Sequence, residues 1–263
     1  MSDRSSTCVT RSADWHHDAV DVATWLLISD LDETLVERRE ALLRWAREFV
    51  AGRGLPANAA DEILMEDHHG RRSRPQFVAA VNDRLALDPP LTLSYLGDYV
   101  RCFQLDPDTA DALRRIRAAG WRIGIASNGE QPQVDKVDHV GLRPLVDAVA
   151  VSGLVGVRKP DPALLQMVAT LAGAPLTGNQ AQRTWMVGDD PDADMGAAHA
   201  AGIRSVWIRR GRRWPADLDP PTAQADSFVD AVDIVLAACD APAPPASVKL
   251  SPSSSSLKAL TSS

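Results

Sequence analysis

Between residues 25 and 240, short apolar runs of strand length alternate with longer stretches whose apolar residues recur at helical spacing. The strand-like runs fall at 25–29, 122–126, 148–151, 185–187 and 205–208, with a weaker one at 227–229. Among the helical stretches, 109–119 is closed by Gly120, and 162–172 opens with Asp161 as N-cap and Pro162 at the first helical position. Residues 193–200 form another, ending before Gly202, and 231–239 close the pattern. Strands separated by helices of this length predict βαβ units: an α/β fold with a Rossmann-like parallel sheet and helices on both faces.

From Glu37 to about Leu105 the alternation stops and only amphipathic pieces remain. Residues 39–50 carry Leu42, Leu43, Ala46, Phe49 and Val50 at helical spacing; 77–87 carry Val78, Val81 and Leu85; 93–103 carry Leu96, Val100 and Phe103. A helical block of this length suits a small α-helical cap domain inserted after the first strand. The expected organisation is a flexible arm at 1–22, an α/β core at 23–36 and 106–240, a helical cap at 37–105, and a disordered Pro/Ser-rich tail at 241–263.

The predicted strands end in polar groups. Leu26-Leu27-Ile28-Ser29 runs into Asp30-Leu31-Asp32-Glu33-Thr34-Leu35. If extended geometry persisted, Asp30 and Asp32 would face one side, and two carboxylates that close cannot both ionise cheaply without a cation or a shared proton. The pair therefore points to a metal, a proton-transfer site, or both. Three further strand ends lead into Ser127-Asn128-Gly129, into Arg158-Lys159-Pro160-Asp161-Pro162, and into Gly188-Asp189-Asp190 with Asp192 and Asp194 following. Ligands of open α/β sheets bind outside the carboxyl ends of the strands, so these groups are expected to converge. Carboxylates from Asp30, Asp32 and Asp189 make a hard oxygen site for Mg2+. The hydroxyls of Thr34 and Ser127 and nearby backbone N–H groups suit phosphoryl oxygens, and Lys159 adds positive charge. Phosphoryl transfer requires little beyond positioning, charge neutralisation and a nucleophile.

Composition narrows the class. The net charge of −7 argues against nucleic acid as a partner, and no apolar stretch approaches the roughly 20 residues that span a bilayer. The N-terminal stretch has no apolar h-region and reads as neither a signal nor a transit peptide. Cys8, Cys102 and Cys239 are far apart with no CxxC pair, which fits a reducing cytoplasm. Basic residues are almost all Arg; the lysines are Lys136, Lys159, Lys249 and Lys258, and only the first two fall inside the expected fold. The stretch His68-His69-Gly70-Arg71-Arg72-Ser73-Arg74 reads either as a solvated basic loop or as a contact for an anionic substrate, with Arg71 and Arg72 as candidates.

The ordered motifs Asp30-Leu31-Asp32-Glu33-Thr34-Leu35, Ser127-Asn128-Gly129, Lys159-Pro160-Asp161-Pro162, and Gly188 to Asp194 running on to Gly202 resemble the haloacid dehalogenase (HAD) superfamily, in the subfamily whose helical cap follows the first motif. That resemblance implies an HAD-like hydrolase in which Asp30 attacks phosphorus and forms an aspartyl-phosphate. Asp32 would protonate the leaving oxygen and then act as base on water. It further implies Mg2+ held by Asp30, the Asp32 backbone carbonyl and Asp189. Ser127, Thr34, Asn128 and Gly129 would serve the phosphoryl group, Lys159 would neutralise charge, and Asp190 and Asp194 would support. Glu33 stands where many relatives carry Gly. Dehalogenating members replace the second aspartate, phosphonate-cleaving members need a cap lysine, and residues 37–120 hold none. The resulting expectation is a cytoplasmic Mg2+-dependent phosphatase acting on a small phosphorylated metabolite. A phosphomutase on the same core and a catalytically silent phosphate-binding module are the alternatives.

Overall fold

The computed structural model describes residues 24–240; the expected arm at 1–22 and tail at 241–263 lie outside them. In chain order the elements are β1 Leu26–Ser29, α1 Arg38–Gly52, α2 Ala59–Glu66, α3 Arg74–Leu85, α4 Tyr95–Arg101, α5 Pro107–Ala118, β2 Arg122–Ser127, α6 Gln131–His139, β3 Ala148–Val151, α7 Ser152–Val155, α8 Ala163–Leu171, β4 Thr184–Gly188, α9 Gly196–Ala201, β5 Arg204–Ile208, β6 Ala223–Ala225 and α10 Phe228–Asp240. The strands form one parallel sheet in the order β3-β2-β1-β4-β5-β6. The α/β, Rossmann-like expectation holds.

The sheet is buried on both faces, which is why its strands read as unbroken apolar runs. Leu27, Ile123, Ile125, Trp185, Val187 and Val206 share one core with Leu113 and Ile116 of α5 and Val232 and Val235 of α10. Leu26, Ile28, Ala126 and Met186 share the other with Leu164, Leu165 and Val168 of α8 and Ala197 and Ala198 of α9. Helices α1 to α4 fill the gap between β1 and α5. They close on an aromatic cluster in which Trp45 and Tyr95 lie 4.8 Å apart and Phe77 and Tyr95 5.6 Å, continuous with the first core.

One expected strand is misplaced. Ser227 precedes α10, which begins at Phe228, and the sixth strand lies just upstream at Ala223–Ala225. The reason is a helix start: Ser227 Oγ accepts from the Asp230 N–H at 3.1 Å while Asp230 Oδ2 accepts from the Ser227 N–H at 3.1 Å. The apolar pair Phe228-Val229 therefore opens a helix. The expected helix at 193–200 is likewise preceded by a wide turn, Pro191–Met195, and runs as α9. Three helices that the apolar pattern does not single out, α2, α6 and the single turn α7, are present as well.

The parallel arrangement puts every strand's carboxyl end on one edge. β1 lies between β2 and β4, with Ser29 level with Ile125 and Val187. The ladder runs one residue further, the Asp30 N–H donating to Val187 O at 2.9 Å. Asp30, Ser127 and Asp189 thus emerge side by side.

Candidate active site

The chain leaves extended geometry directly after Asp30. The N–H groups of Leu35 and Val36 both donate to Leu31 O, at 2.9 and 3.1 Å, which folds residues 31–36 into a tight turn. Glu33 sits in that turn at φ 59°, the left-handed region that favours glycine. Its side chain holds the strained position by accepting from the Arg39 N–H at 2.7 Å and by pairing with Arg210 at 3.2 Å.

The turn sends the two aspartates to different cations. Lys159 Nζ donates to Asp30 Oδ1 and to Asp194 Oδ1, both at 2.6 Å, and is itself buried. Lys136 Nζ, on α6, donates to both oxygens of Asp32 at 2.7 and 2.8 Å. The like-charge problem posed by the sequence is met by a separate ammonium for each carboxylate. Gln133, one turn before Lys136, donates to Asp32 Oδ2 at 3.0 Å and to Ser127 Oγ at 2.7 Å. This bridge requires Gly129, because a Cβ there would lie 2.5 Å from Gln133 Cγ.

Electrostatics follow the packing. Burial pushes Asp30 well above the ordinary carboxylate range against the pull of Lys159, and Asp194 and Asp189 push the same way. Burial and Asp194 raise Asp189 to about 7 despite Arg212, whose Nη2 donates to Asp189 Oδ2 at 2.9 Å. Burial also drives Asp32 up, but Lys136, with Arg38 and the Gln133 hydrogen bond, holds it below its usual value. Burial lowers Lys136 to about 8, partly offset by Asp32. For Lys159, Asp194 and Asp30 outweigh burial and the ammonium is held more firmly than usual.

Asp30, Asp189 and Asp194 each offer a carboxylate oxygen within 4.8 Å of the others. Mutually repelling, mostly buried oxygens of this kind fit a hard divalent cation such as Mg2+. Gly188 permits the cluster, since a Cβ there would meet Asp194 Oδ2 at 2.2 Å.

The other expected residues fall as follows. Thr34 Oγ1 is buried beside the turn with no hydrogen-bond partner among the described residues. Asn128 clamps the Lys159 backbone, donating to Lys159 O and accepting from Lys159 N–H, both at 2.9 Å. The Gly129 N–H is spent on Ser152 Oγ at 3.0 Å. Asp190 caps the Pro191–Met195 turn, accepting from the N–H groups of Asp192 and Ala193 at 2.9 and 3.0 Å. Arg71 is exposed and Arg72 is tied to Glu66; neither bonds to the Asp30 or Asp32 groups. Lys136 and Gln133 are the functional candidates that sequence reasoning passed over, although the rarity of lysine flagged Lys136 as much as Lys159.

A family model described as "Hydrolase: haloacid dehalogenase-like hydrolase" matches residues 26–202. Phosphoserine phosphatase of Thermus thermophilus is 36% identical over 128 residues, 48% of this chain and 47% of that protein, so the match spans about half its length. Phosphoglycolate phosphatase of Cereibacter sphaeroides is 32% identical over 198 residues, covering 71% of this chain and 86% of that one. L-2-haloacid dehalogenase of Xanthobacter autotrophicus superposes with a TM-score of 0.62 at 17% identity, covering 81% of this chain and 98% of that chain. That last likeness is one of fold alone. No helix among the described residues is long and apolar enough to cross a membrane.

Proposed function

The chain belongs to the haloacid dehalogenase-like hydrolase family, and on that premise we propose that it is a Mg2+-dependent phosphatase acting on a small phosphorylated metabolite. The observation that carries this reading is the division of labour at the end of β1. Asp30 stands among carboxylates and Lys159, while Asp32, bound by Lys136 and Gln133, stands apart from that cluster. This separation supports reading one aspartate as the nucleophile and the other as the proton-transfer group. The named phosphatase relatives support the same chemistry.

In this reading an Asp30 carboxylate oxygen attacks phosphorus as the bond to the leaving oxygen breaks, and Asp32 passes that oxygen a proton drawn from the Lys136 ammonium bound to it, which burial lowers to about 8. Asp32 then takes a proton from water as the water attacks the aspartyl-phosphate and frees Asp30. Lys159 holds the Asp30 carboxylate in place and offsets the charge that gathers around it. Thr34 Oγ1 and the Ser127 hydroxyl serve the phosphoryl oxygens. Asp30, Asp189 and Asp194 would hold Mg2+, which when bound supplies charge neutralisation for the transferring group. Helices α1 to α4 act as a cap that roofs the crevice and excludes water.

The test is phosphate release from a panel of phosphate monoesters with Mg2+ and with EDTA. Release that is lost with EDTA and abolished in Asp30→Asn is expected. Turnover retained in Asp30→Asn would sink the mechanism.

A further inference from the structure

Beyond Asp32, toward the inserted helices, the interior holds more positive than negative charge. Arg38 and Lys136 are 6% and 1% exposed, Arg74 is half-buried, and the anions among them are Asp32 and Asp67. Both carboxylates are already spent: Arg38 donates to the two oxygens of Asp67 at 2.9 and 2.7 Å, and Lys136 to the two of Asp32. Arg74 is left with a 3.5 Å approach to Asp67, and its Nη1 is buried without a hydrogen-bond partner among the described residues. The hydroxyls of Tyr95 and Tyr99, side chains that are 3% and 0% exposed, have none either.

These orphaned donors adjoin one another. Arg74 Cζ lies 5.4 Å from the centre of the Tyr99 ring, the Tyr95 and Tyr99 rings are 6.1 Å apart, and Lys136 Nζ is 5.7 Å from the Tyr99 ring. The contacts therefore run outward from Asp32 through Lys136 and Tyr99 to Arg74. Buried donors are ordinarily paired, so a set that is not marks a place built for an acceptor.

We propose that Arg74, Tyr95 and Tyr99 form a subsite for a carboxylate carried by the leaving group of the substrate, a deepening that rests on the phosphatase reading above. With Asp32 beside the leaving oxygen, the rest of that group extends to where Lys136, Tyr99 and Arg74 follow. Three cations face two anions there, and one carboxylate cancels the excess. Its two oxygens offer about four lone-pair sites to the unspent donors, and a guanidinium fork suits it. A second phosphate, at about −1.5 to −2, would overshoot the balance.

The test compares phosphoglycolate with ethyl phosphate, which lacks the carboxylate, and with ethylene glycol bisphosphate. In the unmodified protein with Mg2+, kcat/KM for phosphoglycolate is expected to exceed that for ethyl phosphate by at least about tenfold, the scale of a charge-assisted hydrogen bond. The ratio should drop by about that factor in Tyr99→Phe, which keeps the ring, and further in Arg74→Gln. A ratio near one, a ratio unmoved in Tyr99→Phe, or preference for the bisphosphate would overturn the subsite and leave the donors to bound water. Calorimetry on Asp30→Asn reads the subsite without turnover. Tighter binding of phosphoglycolate than of ethyl phosphate there upholds the subsite even if nothing is hydrolysed, an outcome that would defeat the phosphatase reading alone. Equal affinities defeat the subsite, while phosphate release from ethyl phosphate by the unmodified protein would still uphold the phosphatase.

Discussion

Lys159 and Lys136 do different work although each grips an aspartate of the same turn. Lys159 stands between Asp30 and Asp194, so its removal leaves two buried carboxylates facing each other. Lys159→Ala should lower turnover by roughly 10²–10³, the scale for one preorganised charge-stabilising contact, and should lower the melting temperature; added Mg2+ should restore melting in part but not turnover. Lys136 instead sets the proton affinity of Asp32. Burial raises that carboxyl, and Lys136, with Arg38 and Gln133, more than reverses it, so Lys136→Met should move the acid limb of the kcat–pH profile to higher pH and cost about 10- to 100-fold in rate. An unmoved limb would show that Asp32 is not the base. The two lysines also differ in legibility. Lys159 is readable because it lies within a recognisable run, Lys159-Pro160-Asp161-Pro162. Lys136 meets Asp32 across 104 residues from within a helix of mostly polar residues, and no local spacing carries that contact.

At the scale of elements, what is legible depends on whether burial or capping decides the structure. Strands buried on both faces, such as β1 and β4, write themselves as apolar runs. The short edge strand β6, Ala-Gln-Ala, has no such run, and Phe228-Val229 beside it looks more like a strand until Ser227 and Asp230 are seen to cap a helix. Helix α6 is short and opens with Gln131-Pro132-Gln133, leaving little apolar period to read. Where elements meet at the site, small residues set the fit. Gly188 ends β4 against Asp194, where an added methyl would sit 2.2 Å from a carboxylate oxygen. Gly188→Ala should therefore push the Pro191–Met195 turn away, cost about 1–3 kcal/mol by overpacking, and abolish the Mg2+-induced rise in melting temperature. A variant that melts lower yet keeps the full Mg2+ response would mean that Asp194 is not part of the metal site.

For the whole molecule, one sheet edge collects carboxylates from the ends of β1 and β4 and from the turn after β4, and the fold bears their repulsion. Asp189 is raised to about 7 by burial and by Asp194, so between about pH 4 and 7 the folded chain binds more protons there than the unfolded chain, whose carboxyl titrates near 3.9. Stability without metal must then fall as pH rises through that window, because the proton that relieves the repulsion is lost. A divalent cation relieves the same repulsion but binds only the ionised oxygens, so its affinity grows as the proton leaves. The expected outcome is a melting temperature in EDTA that drops from pH 5 to pH 8, and a Mg2+-induced rise that is small at pH 5 and large at pH 8. At a hundredfold excess over Kd that rise amounts to about 2.7 kcal/mol, roughly 5–10 °C for a domain of this size. Asp189→Asn should flatten both trends. A Mg2+ effect of equal size at both pH values would place the cation away from these carboxylates.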